Sequence, residues 1–585
     1  MKQWMVYNKK GDFNRLAEQF GIDPLTARCM VNRGIPEEEM GAFLSPSRGR
    51  LHDGALLKGA KEAAALLKKA IDEGKKIRVI GDYDVDGVFS TYILKTALVR
   101  CGGIVDYDIP HRITDGYGLN ARLCEKAIAD GTELVITCDN GIKAFREIAM
   151  LKEAGMQVIV TDHHAFDFEN DGEEKRYLLP EADAVVNPHQ PGDTYPFADI
   201  CGAVVAWKLI GVLYELMGIP GAEYDAFLPF AAFATVCDIM PLVGENRVIV
   251  ALGLSQLSHT DNIGLNALLD GCGRSEAQLN AMDIGFILGP CFNACGRLDS
   301  AIRAVELLEE SSAAKAIERA RGMIDLNERR KSMTEAASDK AMEAVEAAGE
   351  PDAVLIVYIP ELHESLAGIV AGRLREKYYR PVFVLCDGEH MVKGSGRSIP
   401  GYPMADKLHE VEDILDHYGG HPMAAGLSLK KEKVEELRMR LNANAHLTEK
   451  DLTDTVMIDA AAPLSYMTEE RISELSRLEP FGEGNEQPLF ADKDLIPYQM
   501  SYIGRSERKF LKFLFRMADG SDVEALWFGN ADEMTEYLER KFGEKEVAAL
   551  LGAKKSAVRL TFTYYPRINE FRGRKTIQAR IEDYR

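Results

Sequence analysis

The sequence predicts an α/β protein: a mostly parallel sheet covered by helices, a smaller second α/β domain reached through a long helix, and a C-terminal β-rich domain. Three observations predict it. Between residues 77 and 186, short apolar runs alternate with amphipathic stretches, the pattern of a parallel sheet with helices on both faces. Residues 301–349 are rich in Ala, Glu, Arg and Lys, with Ile302, Val305, Leu308, Ala314, Ile317, Ile324 and Leu326 at near-helical spacing. From about residue 454 onward, short strands carry interleaved aromatic and basic residues.

A chain of 585 residues is too long for one core and divides into three or four domains of roughly 100–200 residues. A hydrophobic content of 46% and a charged content of 28% belong to an ordinary soluble protein. The opening Met1-Lys-Gln-Trp-Met-Val-Tyr lacks the apolar core of a signal peptide, and no apolar run reaches the roughly 18 residues that span a bilayer. The 10 cysteines are scattered without a CxxC pair, which points to reduced thiols in the cytoplasm. Cys291 and Cys295 share a helical face but have no partner ligands nearby in sequence. The formal net charge of −22 argues against a protein that coats nucleic acid non-specifically. A nucleic-acid enzyme stays open if its positive charge is confined to a groove.

In chain order, residues 1–55 read as short helical segments, one of them starting at Pro36-Glu-Glu-Glu. A helix over 60–73 leads into a buried strand, 77–80. That strand ends in Gly81-Asp82-Tyr-Asp84-Val-Asp86-Gly87, and a helix follows over 87–100 with Val88, Tyr92, Leu94 and Leu98 as its apolar side. Strands are then expected at 104–109, 134–137, 158–161 and 184–186, with helices at 119–129 and 142–154 between them. The strand ends carry Asp139-Asn-Gly, Asp162-His163-His164 and Asn187-Pro. Another apolar run, 231–237, ends in Asp238. In an open α/β sheet the carboxyl ends of the strands line one edge, so these clusters converge.

Asp and Gly are ordinary turn residues, and one such cluster would be a plain loop. Convergence of Asp82, Asp84, Asp86, Asp139, Asp162, His163, His164 and Asp238 instead predicts a metal site. Like charges this close repel one another, and a divalent cation relieves that. Carboxylates with some imidazole and no thiolate suit Mn²⁺ or Mg²⁺ better than structural zinc. The acids exceed what one ion needs. Two ions about 3.5–4 Å apart, bridged by a carboxylate, would use them all, in the manner of phosphoester hydrolysis.

These residues carry a resemblance. Asp82-Tyr-Asp-Val-Asp-Gly, Asp139-Asn-Gly, Asp162-His-His and Thr235-Val-Cys-Asp-Ile-Met-Pro-Leu-Val-Gly-Glu-Asn-Arg247 resemble the successive motifs of the DHH phosphoesterase superfamily. The likeness continues through Leu288-Gly-Pro-Cys-Phe-Asn-Ala-Cys-Gly-Arg-Leu298, Gly394-Ser-Gly-Arg-Ser-Ile-Pro400, Tyr418-Gly-Gly-His-Pro-Met-Ala-Ala-Gly426 and Leu478-Glu-Pro-Phe-Gly-Glu-Gly-Asn-Glu-Gln-Pro-Leu-Phe490. It covers almost the whole chain, and within the superfamily it is most similar to the single-strand-specific 5′→3′ DNA exonucleases.

The resemblance implies a DHH domain over 56–265 after an N-terminal helical segment (1–55), a helical connector (266–350), a DHH-associated domain (351–450) and an OB-fold (451–585). It implies that Asp82, Asp84, Asp86, Asp139, His163 and Asp238 hold two ions, Mn²⁺ or Mg²⁺. Asp139 would be the bridge, and the order among Asp82, Asp84 and Asp86 stays open. His164 would face the scissile phosphate and share the chemistry with Asp139 and Asp84. Arg112, Arg297, Ser395, Arg397 and His421 would bind the substrate, with Arg112, Ser395 and Arg397 taking the 5′-terminal phosphate. Family members often carry a base where Cys291 or Phe292 stands here. The implied activity is removal of 5′-mononucleotides from single-stranded DNA in repair and recombination, by a monomer, with a single-strand-binding protein and a helicase as protein partners. A phosphodiesterase for short oligonucleotides or dinucleotides and a non-catalytic replication-associated binding protein are the alternatives.

The remaining regions read physically as well. A second α/β domain opens at Ala353-Val-Leu-Ile-Val-Tyr, with a helix over 368–377 and a strand over 381–385. Gly394-Ser-Gly-Arg-Ser reads as a loop whose small residues let backbone N–H groups and a guanidinium approach a phosphate. Gly419-Gly-His-Pro reads as punctuation between a helix and a strand. In the C-terminal region Tyr502, Phe510, Phe513, Phe515, Trp527, Phe562, Tyr564, Tyr565 and Phe571 lie among Arg505, Arg508, Lys509, Lys512, Arg567, Arg572, Arg574 and Lys575. That mixture fits an OB-fold that binds single strands by stacking and backbone contacts, with part of the aromatic set committed to the core.

Overall fold

Five parallel strands form the sheet that positions the site: β1 (Lys76–Ile80), β2 (Ile104–Asp108), β3 (Leu134–Cys138), β4 (Gln157–Thr161) and β5 (Ala184–Val186). Their spatial order is β2-β1-β3-β4-β5. The chain therefore leaves β1 toward one side and returns to the other, and the crevice at this switch point lies between β1 and β3. The central strands are buried on both faces, which is why they read as unbroken apolar runs. Arg78 is the exception. It is buried within β1, where its guanidinium donates to Asp106 at 2.8 and 2.7 Å and to Asp130 at 2.8 Å.

The computed structural model describes residues 2–171, 174–275, 278–505, 508–518, 520–571 and 573–585. They form two units, residues 47–454 and residues 1–46 with 455–585. In the first unit, helix α1 (Val85–Arg100) follows β1 directly, with Asp84 as N-cap accepting from Gly87 N–H at 3.1 Å. Only glycine fits at 87, because a Cβ there would lie 2.5 Å from the backbone N and O of Asp82. Helices α2 (Gly202–Met217) and α3 (Leu228–Cys237) pack on α1 in the same core.

The expected connector is two structures rather than one spacer. Leu268, Leu288, Cys291, Phe292 and Val305 belong to the first core, and α4 (Gly289–Leu298) lies within it. Helix α5 (Ala313–Ala347) bridges the two cores. Its Ala316, Ala320 and Met323 face the first core, while Ala337, Ala341 and Val345 face the second sheet. That sheet contains β6 (Leu355–Tyr358), β7 (Val382–Asp387), β8 (Val392–Arg397), β9 (His417–His421) and β10 (Ala424–Leu429), ordered β9-β10-β8-β7-β6, with α6 (Ala367–Tyr378) against it. Gly394 to Arg397 is thus an interior strand, not a loop, paired with β7 and β10 on its two sides. The glycine that reads as punctuation is demanded by packing, since a Cβ on Gly394 would meet Leu385 at 2.4 Å. Gly419 and Gly420 likewise sit in β9 and not between elements.

The second unit is built on a seven-stranded sheet from residues 460–584. The N-terminal segment belongs to this unit and does not stand apart. Gln3–Val6 pairs in parallel with Thr455–Ile458, and Leu16, Ile22, Ala27, Met30, Met40 and Leu44 enter the same core as Phe490, Phe513 and Phe562. Burial of that apolar face is the physical reason that short amphipathic helices at the start of the chain need the strands at its end.

Candidate metal centre

The clusters around Asp82, Asp139 and Asp162 leave the sheet at carboxyl ends, whereas Asp238 ends a helix. Asp82, one residue beyond Gly81 at the end of β1, accepts from Gly118 N–H at 3.1 Å through Oδ1. Asp86 lies in the first turn of α1 and accepts from Gly202 N–H at 2.6 Å and Ala203 N–H at 2.8 Å, the free amides at the N-terminus of α2. Asp139 closes β3 with φ of 59°, a left-handed conformation that Asp tolerates better than most residues and that concentrates at functional sites. His163 and His164 follow β4, and Asp238 follows α3.

These side chains meet. His163 Nε2 lies 3.2 Å from Asp139 Oδ1, 3.6 Å from Asp86 Oδ2 and 3.7 Å from Asp238 Oδ2. Three sets have ligand atoms within 4.8 Å of one another: Asp139 with His163 and His164, Asp86 with His163 and Asp238, and Asp82 with Asp84 and Asp139. Asp139 and His163 each belong to two sets. Burial raises the pKa of Asp82, Asp86, Asp139 and Asp238, and their mutual repulsion, with Asp84 as a recurrent neighbour, raises it further. Burial pulls His163 down and favours the neutral imidazole that ligates. Asp82 Oδ2 and His163 Nε2 are buried with no hydrogen-bond partner. Two orphaned ligand atoms among repelling carboxylates fit hard divalent cations.

Asp162 converges with the others but differs in role. Its oxygens are taken by Ile142 N–H (2.9 Å), His163 N–H (2.7 Å), His164 N–H (3.1 Å) and His164 Nδ1 (2.8 Å). It positions the histidine loop through three donors on Oδ1 and one on Oδ2. Burial alone would lower the pKa of His164, but the hydrogen bond and charge of Asp162 outweigh it, and the net shift is upward. Sequence reasoning missed Tyr117. Its hydroxyl donates to Asp139 O at 2.6 Å and lies 3.1 Å from His164 Nδ1. The available signal was its place beside Gly118, whose N–H holds Asp82. The two amides of α2 that hold Asp86 carry no sequence signal.

Four of the five expected substrate residues line one cavity of about 280 Å³: Arg112, Arg297, Ser395 and Arg397, together with Tyr83 and Ser365. Arg112 stacks on Tyr83 at 4.5 Å, and Arg297 donates to Ser365 O at 2.7 Å. Burial, then the neighbouring Arg112, Arg330 and Arg397, push Arg297 down, so the cavity holds crowded cations. Glu364, also on its wall, is paired with Lys393 at 2.9 Å. His421 is not among the lining residues and is exposed at the end of β9.

In the second unit, Phe513, Phe515, Phe562 and Tyr564 are core residues. Tyr502 and Phe528 are exposed, with Lys509 Nζ 5.7 Å from the Tyr502 ring, Phe510 edge-on to Phe528 at 5.2 Å and Arg567 6.0 Å from Phe528. Arg572 lies outside the described residues, as do the side chains of Arg505, Arg508, Phe571 and Arg574.

Comparison with known proteins gives three family matches: the DHH family N-terminal domain at residues 76–231, the DHHA1 domain at 352–446 and the RecJ OB domain at 458–583. The single-stranded-DNA-specific exonuclease RecJ of Bacillus subtilis (strain 168) is 36% identical over 99% of this chain and 70% of its own length. The structure of RecJ in complex with Mn²⁺ from Thermus thermophilus is similar with a TM-score of 0.81 at 28% identity, over 100% of this chain and 79% of that one. The Mg²⁺ complex from the same organism gives 0.76 at 27% identity, over 100% and 78%.

Proposed function

Since the chain belongs to the RecJ family, we propose that it is an exonuclease specific for single-stranded DNA that works from the 5′ end and releases 5′-mononucleotides, in DNA repair and recombination. The observation that carries this reading is the convergence, within residues 47–454, of the carboxylate–imidazole cluster and an arginine-lined cavity.

Asp82, Asp84, Asp86, Asp139, His163 and Asp238 would hold divalent cations, and Asp139, which belongs to two of the ligand sets, would serve both. When bound, Mn²⁺ or Mg²⁺ supplies water activation and neutralises charge on the reacting phosphate. Asp86 is held for this by the α2 amides. His164, with Nδ1 engaged by Asp162 and Tyr117 Oη 3.5 Å from Nε2, would donate from Nε2 to a phosphate oxygen, and its raised pKa favours the protonated, donating form. Arg112, Arg397 and Ser395 are assigned to the terminal 5′-phosphate and Arg297 to the same cavity. A monoester carries nearly two negative charges against one for a diester, so clustered guanidiniums prefer the end of a strand. His421 is assigned to the substrate side as well. Its exposure on β9 supports contact with the strand rather than with the cavity.

The seven-stranded unit is the proposed binding module for the rest of the strand, through Tyr502, Phe528 and the bases beside them. A single-strand-binding protein and a helicase are the proposed protein partners, because they coat and generate the substrate. The proposed working form is a cytoplasmic monomer, a compartment supported by ten free cysteines. Among the described residues no helix is long and apolar enough to cross a membrane. The test is digestion of end-labelled single strands, duplexes and dinucleotides with Mn²⁺, Mg²⁺ or chelator, alongside Asp139→Ala. Single strands alone should yield 5′-mononucleotides, only with metal, and the variant should lose at least ~10³-fold in rate. Equal digestion of duplexes, or activity in chelator, would overturn the assignment.

A further inference from the structure

Two large apolar side chains near the end of α3, where Asp238 stands, are strongly exposed. Ile239 and Phe286 are each 71% exposed, more than any other large hydrophobic residue among those described. Both stand on unusual backbone. Ile239 follows Asp238 at the end of α3, where Ile239 N–H donates to Val236 O and Met240 N–H to Thr235 O. This is a helix C-cap whose left-handed position normally takes glycine or asparagine. Isoleucine holds it at φ of 56°, a strained choice for a β-branched residue. Phe286 stands in a π-helical turn, Ile284–Leu288, closed by Gly289 N–H on Ile284 O. Such turns are rare and often functional. Neither side chain contributes to a core.

The two positions surround one helix end. A Cβ on Gly285 would lie 3.8 Å from Val236, and one on Gly289 would lie 2.4 Å from Cys237 Sγ, so the π-turn packs on the last turn of α3. From there α4 runs to the arginine cavity. At its far end a Cβ on Gly296 would strike Tyr83 O at 2.1 Å, and Arg297 enters the cavity. The separation along α4 is about 12 Å at 1.5 Å per residue. Asp82 and Asp84 adjoin Tyr83 in the chain at one of these ends, and Asp238 adjoins Cys237 and Ile239 at the other.

We propose that Ile239 and Phe286 form an apolar platform for the bases on the 3′ side of the scissile phosphate, so that a strand anchored by its terminal phosphate leaves the centre across them. This inference rests on the reading of the cluster as the site of hydrolysis. It gives that site a source of strand selectivity, because a base inside a duplex cannot offer its face to a side chain, whereas an unpaired base can.

The test compares kcat/KM for a 5′-phosphorylated single strand with strands carrying one abasic residue at each of the first four positions in turn. Wild-type full-length protein should discriminate at one or two adjacent positions by about 5- to 160-fold, the range expected of one base–aromatic stack. In Phe286→Ala the ratio should approach one, and Phe286→Trp should restore it. Ile239→Asn relaxes the left-handed backbone, so it should raise Tm while lowering discrimination. A purely structural residue would move stability and activity together. Wild type that degrades single strands without discriminating abasic positions, or Phe286→Ala with the wild-type ratio, refutes the platform alone. Wild type that degrades no strand with metal refutes the underlying reading of the site.

Discussion

Gly202→Ala is expected to cripple the metal centre although it alters no ligand. In an ordinary helix, Gly→Ala gains up to ~1 kcal/mol. Here the added methyl would lie 2.7 Å from Asp139 Cβ, 2.9 Å from Asp139 Cα and 2.9 Å from Asp86 Oδ2. Carbon atoms rest about 3.5–4.0 Å apart, so roughly 1 Å must be found. Asp139 is fixed at the end of a central strand, so the yielding element is the start of α2. Its retreat lengthens the 2.6 and 2.8 Å bonds that hold Asp86. Overpacking costs about 1–3 kcal/mol of stability, and a displacement near 1 Å at a reacting centre costs about 10²-fold in rate. The assay pairs Mn²⁺ titration calorimetry with kcat on a 5′-phosphorylated strand and a thermal melt. A variant with parental Tm, Mn²⁺ affinity and rate would show that α2 and Asp139 are not coupled, and the reasoning would fail.

Asp162→Asn should turn an amide donor toward one of four donors, cost about 1.5–3 kcal/mol for the lost charged hydrogen bond and lower the pKa of His164, read by thermal melts and NMR titration of the ring. Arg397→Ala should cut kcat/KM on a 5′-phosphorylated strand by about 10- to 160-fold while sparing a 5′-hydroxyl strand, and equal loss on both would deny the cavity its role in end recognition. The raised carboxyls set a pH dependence. Asp82, Asp86, Asp139 and Asp238 have folded-state pKa values above 3.8, so their contribution is fully present below 3.8 and is lost as pH rises through the folded values. Protein in chelator should therefore melt higher at pH 5 than at pH 8, and Mn²⁺ should remove most of that difference. A Tm in chelator that is flat across this range would contradict the raised values.

The parallel sheet and the acids at its edge were legible because burial on both faces writes apolar runs, and each run ends where the chemistry begins. Legibility fell where a residue's meaning depends on a distant partner. Gly394 and Gly396 read as a loop because glycine usually breaks structure, yet here each makes room for a neighbour, Leu385 and Met404 respectively. Asp162 read as another acid of the cluster, since only the amides of Ile142, His163 and His164 reveal that its oxygens are engaged. Residues 1–46 gave no hint that their apolar face belongs to strands more than four hundred residues later. No local pattern encodes that pairing.

That pairing has a consequence for synthesis. Residues 1–46 leave the ribosome early, but the strands that cover Leu16, Met30 and Met40 follow the whole of residues 47–454. At ~5–20 residues per second the wait is on the order of a minute. Throughout it, Leu16, Met30 and Met40 lack the strands that bury them in the folded unit. A chain cut short before residue 455 would leave those side chains without that cover, and exposed apolar surface of this kind promotes aggregation. The unit built from residues 1–46 and 455–585 can therefore close only after residues 47–454 have been made.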